Sequence, residues 1–220
     1  MEWRDDAELF RLMRERLFTA VLGDVLDLHG YRNQFLPPEC RALRPHMVVC
    51  GRAMTVQEMD VDGASDQPFG LMLKALDSLR EHEVYVAAGG SPAYALWGEL
   101  MSTAARARGA SGAVLAGYTR DTNGILAMDF PVFCYGSYAQ DQRGRGRVID
   151  FRSTLQVDSV IIHPGDIIFG DIDGVLVLPR EVEVDVVCRA LEQLRKEKTA
   201  KFQLLEGRSA ERVFSETGVL

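Results

Sequence analysis

A chain of 220 residues that is 47% hydrophobic and 26% charged has the length and balance of one soluble globular domain over 1–220, not of a disordered or fibrous protein. The net charge of −7 and a pI near 5.2 supply no basic field for phosphate backbones or anionic lipid, so small molecules or proteins are the expected partners, with no nucleic acid. Cys40, Cys50, Cys134 and Cys188 are scattered without a C-x-x-C pair and read as reduced thiols, and neither a secretory leader nor a run of ~18 apolar residues is present, so a cytoplasmic protein without membrane contact is expected.

Between 7 and 29, Leu9, Phe10, Met13, Leu17, Val21, Val25 and Leu28 recur at three- and four-residue steps, the spacing of a buried helical face ended by Gly30. The pattern fits either one helix or two, the second capped by the Thr19 hydroxyl. After a proline-bearing loop, 47–56 alternates as a strand, and a helix is expected from Pro68, which suits a first helical position. The spacing then predicts a strand over 84–88, a helix over 98–108 and a strand over 113–116, the order of a parallel crossover. A short helix over 122–128 leads to a strand over 132–135. Further on, 160–162, 167–169 and 175–178 are short strands separated by Pro-Gly and Asp-Gly turns, which suggests antiparallel hairpins. Pro179 stops them, a polar helix follows, and Ser209 can cap a last one. The sum is a mixed α/β domain with terminal helices.

The chain has no phosphate-binding Gly-x-x-x-x-Gly-Lys loop, no Gly-x-Gly-x-x-Gly and no Gly-x-Ser-x-Gly elbow, so nucleotide and serine chemistry lack support. His29, His46, His82 and His163 stand alone, without ligand spacing. The arginines at 143, 145 and 147 fit a solvated loop better than an anion site.

Two segments carry chemistry. At Trp97-Gly98-Glu99-Leu100-Met101 a loop enters a helix, so free backbone N–H groups and the helix dipole can receive a carboxylate, and glycine lets it approach. The same residues also fit an ordinary helix start with Glu99 favoured by the dipole. At Gly117-Tyr118-Thr119-Arg120-Asp121-Thr122-Asn123-Gly124, the carboxyl end of a strand offers Arg120 for an anionic oxygen and Asp121 as a hard ligand for magnesium or manganese. Asp121 as a helix cap and Arg120 as a surface ion pair remain the alternative.

The ordered set Thr19-Ala20-Val21-Leu22-Gly23-Asp24, Gly51-Arg52-Ala53-Met54-Thr55-Val56, Ala95-Leu96-Trp97-Gly98-Glu99-Leu100, Tyr118-Thr119-Arg120-Asp121 and His163-Pro164-Gly165-Asp166 resembles the 4-hydroxy-4-methyl-2-oxoglutarate aldolase and ribonuclease-regulator family over most of the chain. That family's signature is an acid, twenty residues, Arg-Asp and a further acid three positions on. Glu99, Arg120 and Asp121 match it, with Glu99 standing where Asp is usual and Gly124 where the last acid is usual. The resemblance implies a swivelling β/β/α-type domain, trimers or hexamers with active sites at subunit interfaces, and Mg2+ or Mn2+.

It further implies cleavage of a short hydroxylated α-keto acid to pyruvate, with oxaloacetate decarboxylation in the same site. On that footing Asp121 holds the metal, Arg120 sits beside the substrate ketone, Gly98 and the amides of Leu100 and Met101 bind its carboxylate, and Glu99 orients a water for proton transfer. Glu197 matches an acid supplied by a neighbouring subunit, or is an ordinary solvated glutamate. The rival readings are a protein-binding regulator of a ribonuclease, which the regulator branch suggests, and a lyase or hydrolase of another sugar acid.

Overall fold

The computed structural model describes residues 3–63 and 66–219. The first amphipathic stretch is two helices, α1 (Asp6–Arg16) and α2 (Thr19–Leu28), separated where Leu17 and Phe18 are extended. Thr19 is the first residue of α2 and does not cap it. The capping carboxylate comes from far along the chain: Asp171 accepts from Thr19 N at 2.8 Å and from Thr19 Oγ1 at 2.7 Å. A negative charge at a helix N-terminus complements both the free amides and the dipole.

The organising strand is β2 (Val49–Asp60), longer than the alternation at 47–56 suggests. β1 (Arg41–Ala42) lies at one edge of the main sheet. β5 (Gly112–Leu115) runs parallel to β3 (Glu83–Ala88), as the crossover order predicts, and β3 likewise to β2 and β7 (Val132–Cys134) to β5. On its other side, the first half of β2 pairs antiparallel with β11 (Ile167–Asp171), which pairs with β12 (Gly174–Leu178), while the second half pairs with β8 (Gly146–Phe151). The order β1-β7-β5-β3-β2-β11-β12 gives a mixed, nearly closed sheet. Its ends approach one another where Arg41 Nη1 donates to the carbonyls of Ile172 and Asp173.

Strand alternation divides the core. Met54, Tyr85, Ala87, Ala113 and Leu115 face one layer with α3 (Met72–Asp77), α4 (Glu99–Ala107) and α5 (Thr122–Met128). Ala53, Val84, Val86 and Val114 face the other, against the small hairpin of β9 (Leu155–Val157) and β10 (Val160–Ile162). A further layer joins α1, α2 and α6 (Glu183–Leu205) to Ile167, Phe169, Leu176 and Leu178. Each fully buried aliphatic or aromatic side chain contributes roughly 1.5–3 kcal/mol. The last helix, α7 (Ala210–Thr217), starts at Ser209 as expected, its Oγ accepting from Arg212 N.

Two expectations are corrected. The helix foreseen from Pro68 begins only at Met72, because Gly70, at φ +57°, bridges to Val148 with room for no side chain: a Cβ would lie 2.2 Å from the Val148 carbonyl oxygen. The turn at 163–166 does not close a hairpin, since β10 pairs with β9 and β11 with β2 and β12. Asp166 holds that turn instead, accepting from His163 N at 2.8 Å and Arg180 N at 3.1 Å. The arginine-rich segment is the solvated turn expected, with Arg143 and Arg145 exposed before Gly146 opens β8; its buried member is Gln142, and Arg143 lies over the Phe69 ring.

Candidate functional site

The site is built by a parallel pair that periodicity alone does not reveal, β4 (Ala95–Trp97) and β6 (Tyr118–Thr119). The Trp97 carbonyl accepts from Arg120 N at 2.9 Å and from Thr119 Oγ1 at 3.2 Å. Gly98 and Glu99 therefore leave one strand end beside Arg120 and Asp121 leaving the other. The two sequence motifs meet through backbone hydrogen bonds.

Gly98 is the N-cap of α4. Its backbone is extended and strain-free; what demands glycine is proximity, since a Cβ there would sit 2.8 Å from Asp121 Oδ2. No side chain caps α4, and the first helical amide bonded to the Gly98 carbonyl is that of Ser102, at 3.0 Å. The amides of Glu99, Leu100 and Met101 thus belong to the orphan donors of a helix start. Trp97 fixes this corner by donating Nε1 to Ser102 Oγ at 2.6 Å.

Asp121 occupies the N-cap position of α5 in the left-handed region, φ +56°, yet its side chain makes no capping bond. The carboxylate is left half exposed, with Arg120 Nε at 3.7 Å. Arg120 also reaches Asp141, Nη1 to Oδ1 at 3.4 Å. Asp141 went unrecognised in the sequence because it lies in an irregular polar segment with no motif.

Arg120 and Asp121 line two cavities. One, of about 330 Å³, is apolar along Met72, Leu76, Trp97 and Met101 and polar at the end formed by Arg120, Asp121, Asp141 and Gln142; Gly98 and Leu100 also line it. The other, of about 360 Å³, adds Thr122, Ser137 and Tyr138. Glu99 lines neither: its carboxylate lies against Gly124 on α5. Glu197 stands on α6, accepting from Gln193 Nε2 at 3.2 Å, and lines neither cavity.

Among the described residues no cluster of three or more His, Cys, Asp or Glu side chains could hold a metal. Asp121 offers one open carboxylate, which suits a magnesium-type ion that retains water and takes few protein ligands. Among the described residues no helix is long and apolar enough to cross a membrane. Cys40, Cys50 and Cys134 are buried free thiols, and burial pushes Cys40 up to about 12 and Cys134 up to about 11. None of the three lines either of these cavities.

The family model described as RraA-like, Aldolase/RraA, matches residues 19–177. Among curated relatives, a protein named "Putative 4-hydroxy-4-methyl-2-oxoglutarate aldolase" from Halalkalibacterium halodurans is 31% identical over 78% of this chain and 77% of its own length. Protein DlpA of Legionella pneumophila is 29% identical over 88% of this chain, which spans only 31% of that longer protein. Of solved structures, one described as a novel cellulase from gut-associated microbes superposes with a TM-score of 0.83 at 32% identity, covering 89% of this chain and 88% of that one. Streptomyces coelicolor RraAS2, described as an unusual member of the RNase ES inhibitor RraA family, shares the fold with a TM-score of 0.79 at 23% identity, covering 90% of this chain and 98% of its own. With the matched segment running from α2 to β12, this chain belongs to the RraA-like (Aldolase/RraA) family.

Proposed function

We propose that this protein is a divalent-metal-dependent lyase that cleaves a short hydroxylated α-keto acid to pyruvate, of the 4-hydroxy-4-methyl-2-oxoglutarate or 4-carboxy-4-hydroxy-2-oxoadipate type, and decarboxylates oxaloacetate in the same site. The observation that carries this reading is the β4–β6 pairing, which sets Arg120 and Asp121 beside the uncapped start of α4.

The substrate carboxylate is received by the free amides of Leu100 and Met101, where the helix dipole favours an anion. Arg120 lies beside the ketone oxygen. The C3–C4 bond breaks and its electron pair passes to the ketone oxygen as an enolate, while the C4 hydroxyl loses its proton and becomes a carbonyl. Arg120 stabilises the negative charge as it develops. Glu99, whose exposed carboxylate swings from Gly124 toward Asp121, holds the water that carries the proton, and protonation at C3 releases pyruvate. Asp121 is the residue that would hold Mg2+ or Mn2+, and the ion, when bound, supplies Lewis-acid polarisation of the ketone and carboxylate oxygens.

The reading includes a cytoplasmic homo-oligomer, trimer or hexamer. It is supported by large apolar side chains left in solvent, Leu100 at the site and Phe202 and Leu205 on the outer half of α6. Native mass measurement tests the assembly, and a monomer overturns that part.

Pyruvate release from 4-hydroxy-4-methyl-2-oxoglutarate and from oxaloacetate, with magnesium or with chelator, tests the chemistry. Turnover that needs the metal and falls about 100-fold or more in Asp121→Asn supports the lyase. Equal background rates in every arm overturn it in favour of a binding protein.

A further inference from the structure

The two keto acids named above differ at one group on C4, a methyl in 4-hydroxy-4-methyl-2-oxoglutarate and a carboxymethyl in 4-carboxy-4-hydroxy-2-oxoadipate. The two cavities that meet at Arg120 and Asp121 offer that group unlike surroundings. The cavity of about 330 Å³ runs between α3 and α4. Met72, Leu73 and Leu76 recur at helical spacing along α3, and Leu100, Met101 and Ala104 along α4, so each helix turns one apolar face to it. Leu73 is 60% exposed and Leu100 83%, so apolar surface stays in water until something apolar covers it.

Among the described residues Arg120 is the one cation that lines this cavity, and it lies with Asp121 and Asp141 at the polar end. Gln142 beside them is neutral, and its Nε2 already donates to Glu58 Oε2 at 2.7 Å. Glu58, on β2, is buried, and that burial pushes its carboxyl up to about 8. Arg143 lies over the Phe69 ring without lining the cavity. A carboxylate in the apolar part is therefore stripped of water with no cation to receive it, whereas an alkyl group there gains roughly fourfold in binding per buried methylene. The second cavity suits the carboxylate that both acids carry on C4. Thr122 Oγ1 and Ser137 Oγ lie 2.7 Å apart, so one hydroxyl proton serves that bond and the other can donate outward, with Tyr138 alongside.

We infer that the apolar cavity is the subsite for the C4 substituent, and that it selects an alkyl group longer than methyl and rejects a carboxymethyl group. This rests on the lyase reading and narrows its substrates to 4-alkyl-4-hydroxy-2-oxoglutarates with a chain of several carbons. A methyl group leaves most of the 330 Å³ unfilled. The C3–C4 bond breaks as described above, and C4 leaves as the ketone carbon of a second 2-oxo acid: pyruvate from the methyl compound, 4-methyl-2-oxopentanoate from its isobutyl homologue.

The test measures kcat/KM, with magnesium present, for three acids that differ in the C4 group alone: methyl, isobutyl and carboxymethyl, the last two equal in heavy-atom count. The isobutyl acid is expected to exceed the methyl acid about tenfold or more, and the carboxymethyl acid to fall about tenfold or more below it. Ala104→Phe, which fills the cavity from α4, is expected to bring the isobutyl-to-methyl ratio to one or below. Leu73→Lys, at an exposed helical position, is expected to raise the carboxymethyl-to-isobutyl ratio about tenfold or more. Ratios taken within one variant cancel any loss of folded protein. An isobutyl acid cleaved no better than the methyl acid, or a carboxymethyl acid cleaved as well as the isobutyl one, overturns the inference while the lyase stands. A ratio that its variant leaves unmoved overturns it as well. A wild type that releases pyruvate from none of the three acids overturns both.

Discussion

The carboxylate of Glu99 fills the space in which a side chain at position 124 would begin: a Cβ on Gly124 would lie 2.1 Å from Glu99 Cδ and 2.3 Å from Oε2. The two departures from the family's acid pattern are therefore one spatial exchange. A longer acid at 99 reaches over a position that has given up its own side chain.

Gly124→Ala separates stability from activity. Gly124 sits inside α5, where alanine is favoured by roughly 1 kcal/mol, and the clashing group is the end of an exposed side chain that can swing away. We expect chemical denaturation to show unchanged or slightly higher stability. Pyruvate release falls about tenfold as Glu99 is displaced, and Glu99→Asp combined with Gly124→Glu recovers part of it.

Asp141→Asn probes the alignment of Arg120. The pair is 3.4 Å long and more than one-third exposed on both sides, so its loss changes stability by less than about 1 kcal/mol. Steady-state kinetics should show KM for the keto acid rising several-fold, with kcat altered less.

Glu58 makes stability fall with rising pH. Its carboxyl is raised to about 8 when folded, from 4.5 in the open chain. Below the lower value both states are protonated and no penalty exists. Between the two, the unfolded chain ionises while the folded one does not, and stability declines until the folded group also loses its proton. The full loss is on the order of 5 kcal/mol. Urea titrations at pH 5 and pH 9 should differ in wild type by more than in Glu58→Gln.

Arg52 ties three elements together. Its guanidinium bonds Asp6 of α1, with Nη2 to Oδ1 at 2.6 Å, and Glu183 at the start of α6, from its own place on β2. Arg52→Ala leaves Glu183 largely buried without its partner, and we expect a loss of about 3 kcal/mol by denaturant unfolding. Arg52 holds the Asp6 carboxyl below its usual value, which adds stability at neutral pH that disappears as pH falls through the acid range. The variant should lack that acid-side decline.

What was legible in the sequence follows from locality. The helices over 98–108 and 122–128 and the strands at 84–88, 113–116 and 132–135 have strong periodicity and clear punctuation, and all five form within a residue or so of those bounds. Glu99, Arg120 and Asp121 were legible as types at a spacing, but the contact between their segments depends on β4 and β6, with three and two residues, too short to show a period. Asp171 as the cap of α2, Asp141 beside Arg120, and Gln142 on Glu58 are pairings across the fold, 152, 21 and 84 positions apart. Local pattern carries no trace of them.

The β4–β6 junction has one more consequence. Because a single carbonyl, that of Trp97, takes both the Arg120 amide and the Thr119 hydroxyl, the relative placement of the acid and the Arg-Asp pair is fixed at one atom and owes nothing to the length of the α4 crossover between them. Chain can be added or removed in that excursion without retuning the chemistry at its two ends. The junction works as a clamp on the groups proposed to react, leaving the connecting segment free to diverge.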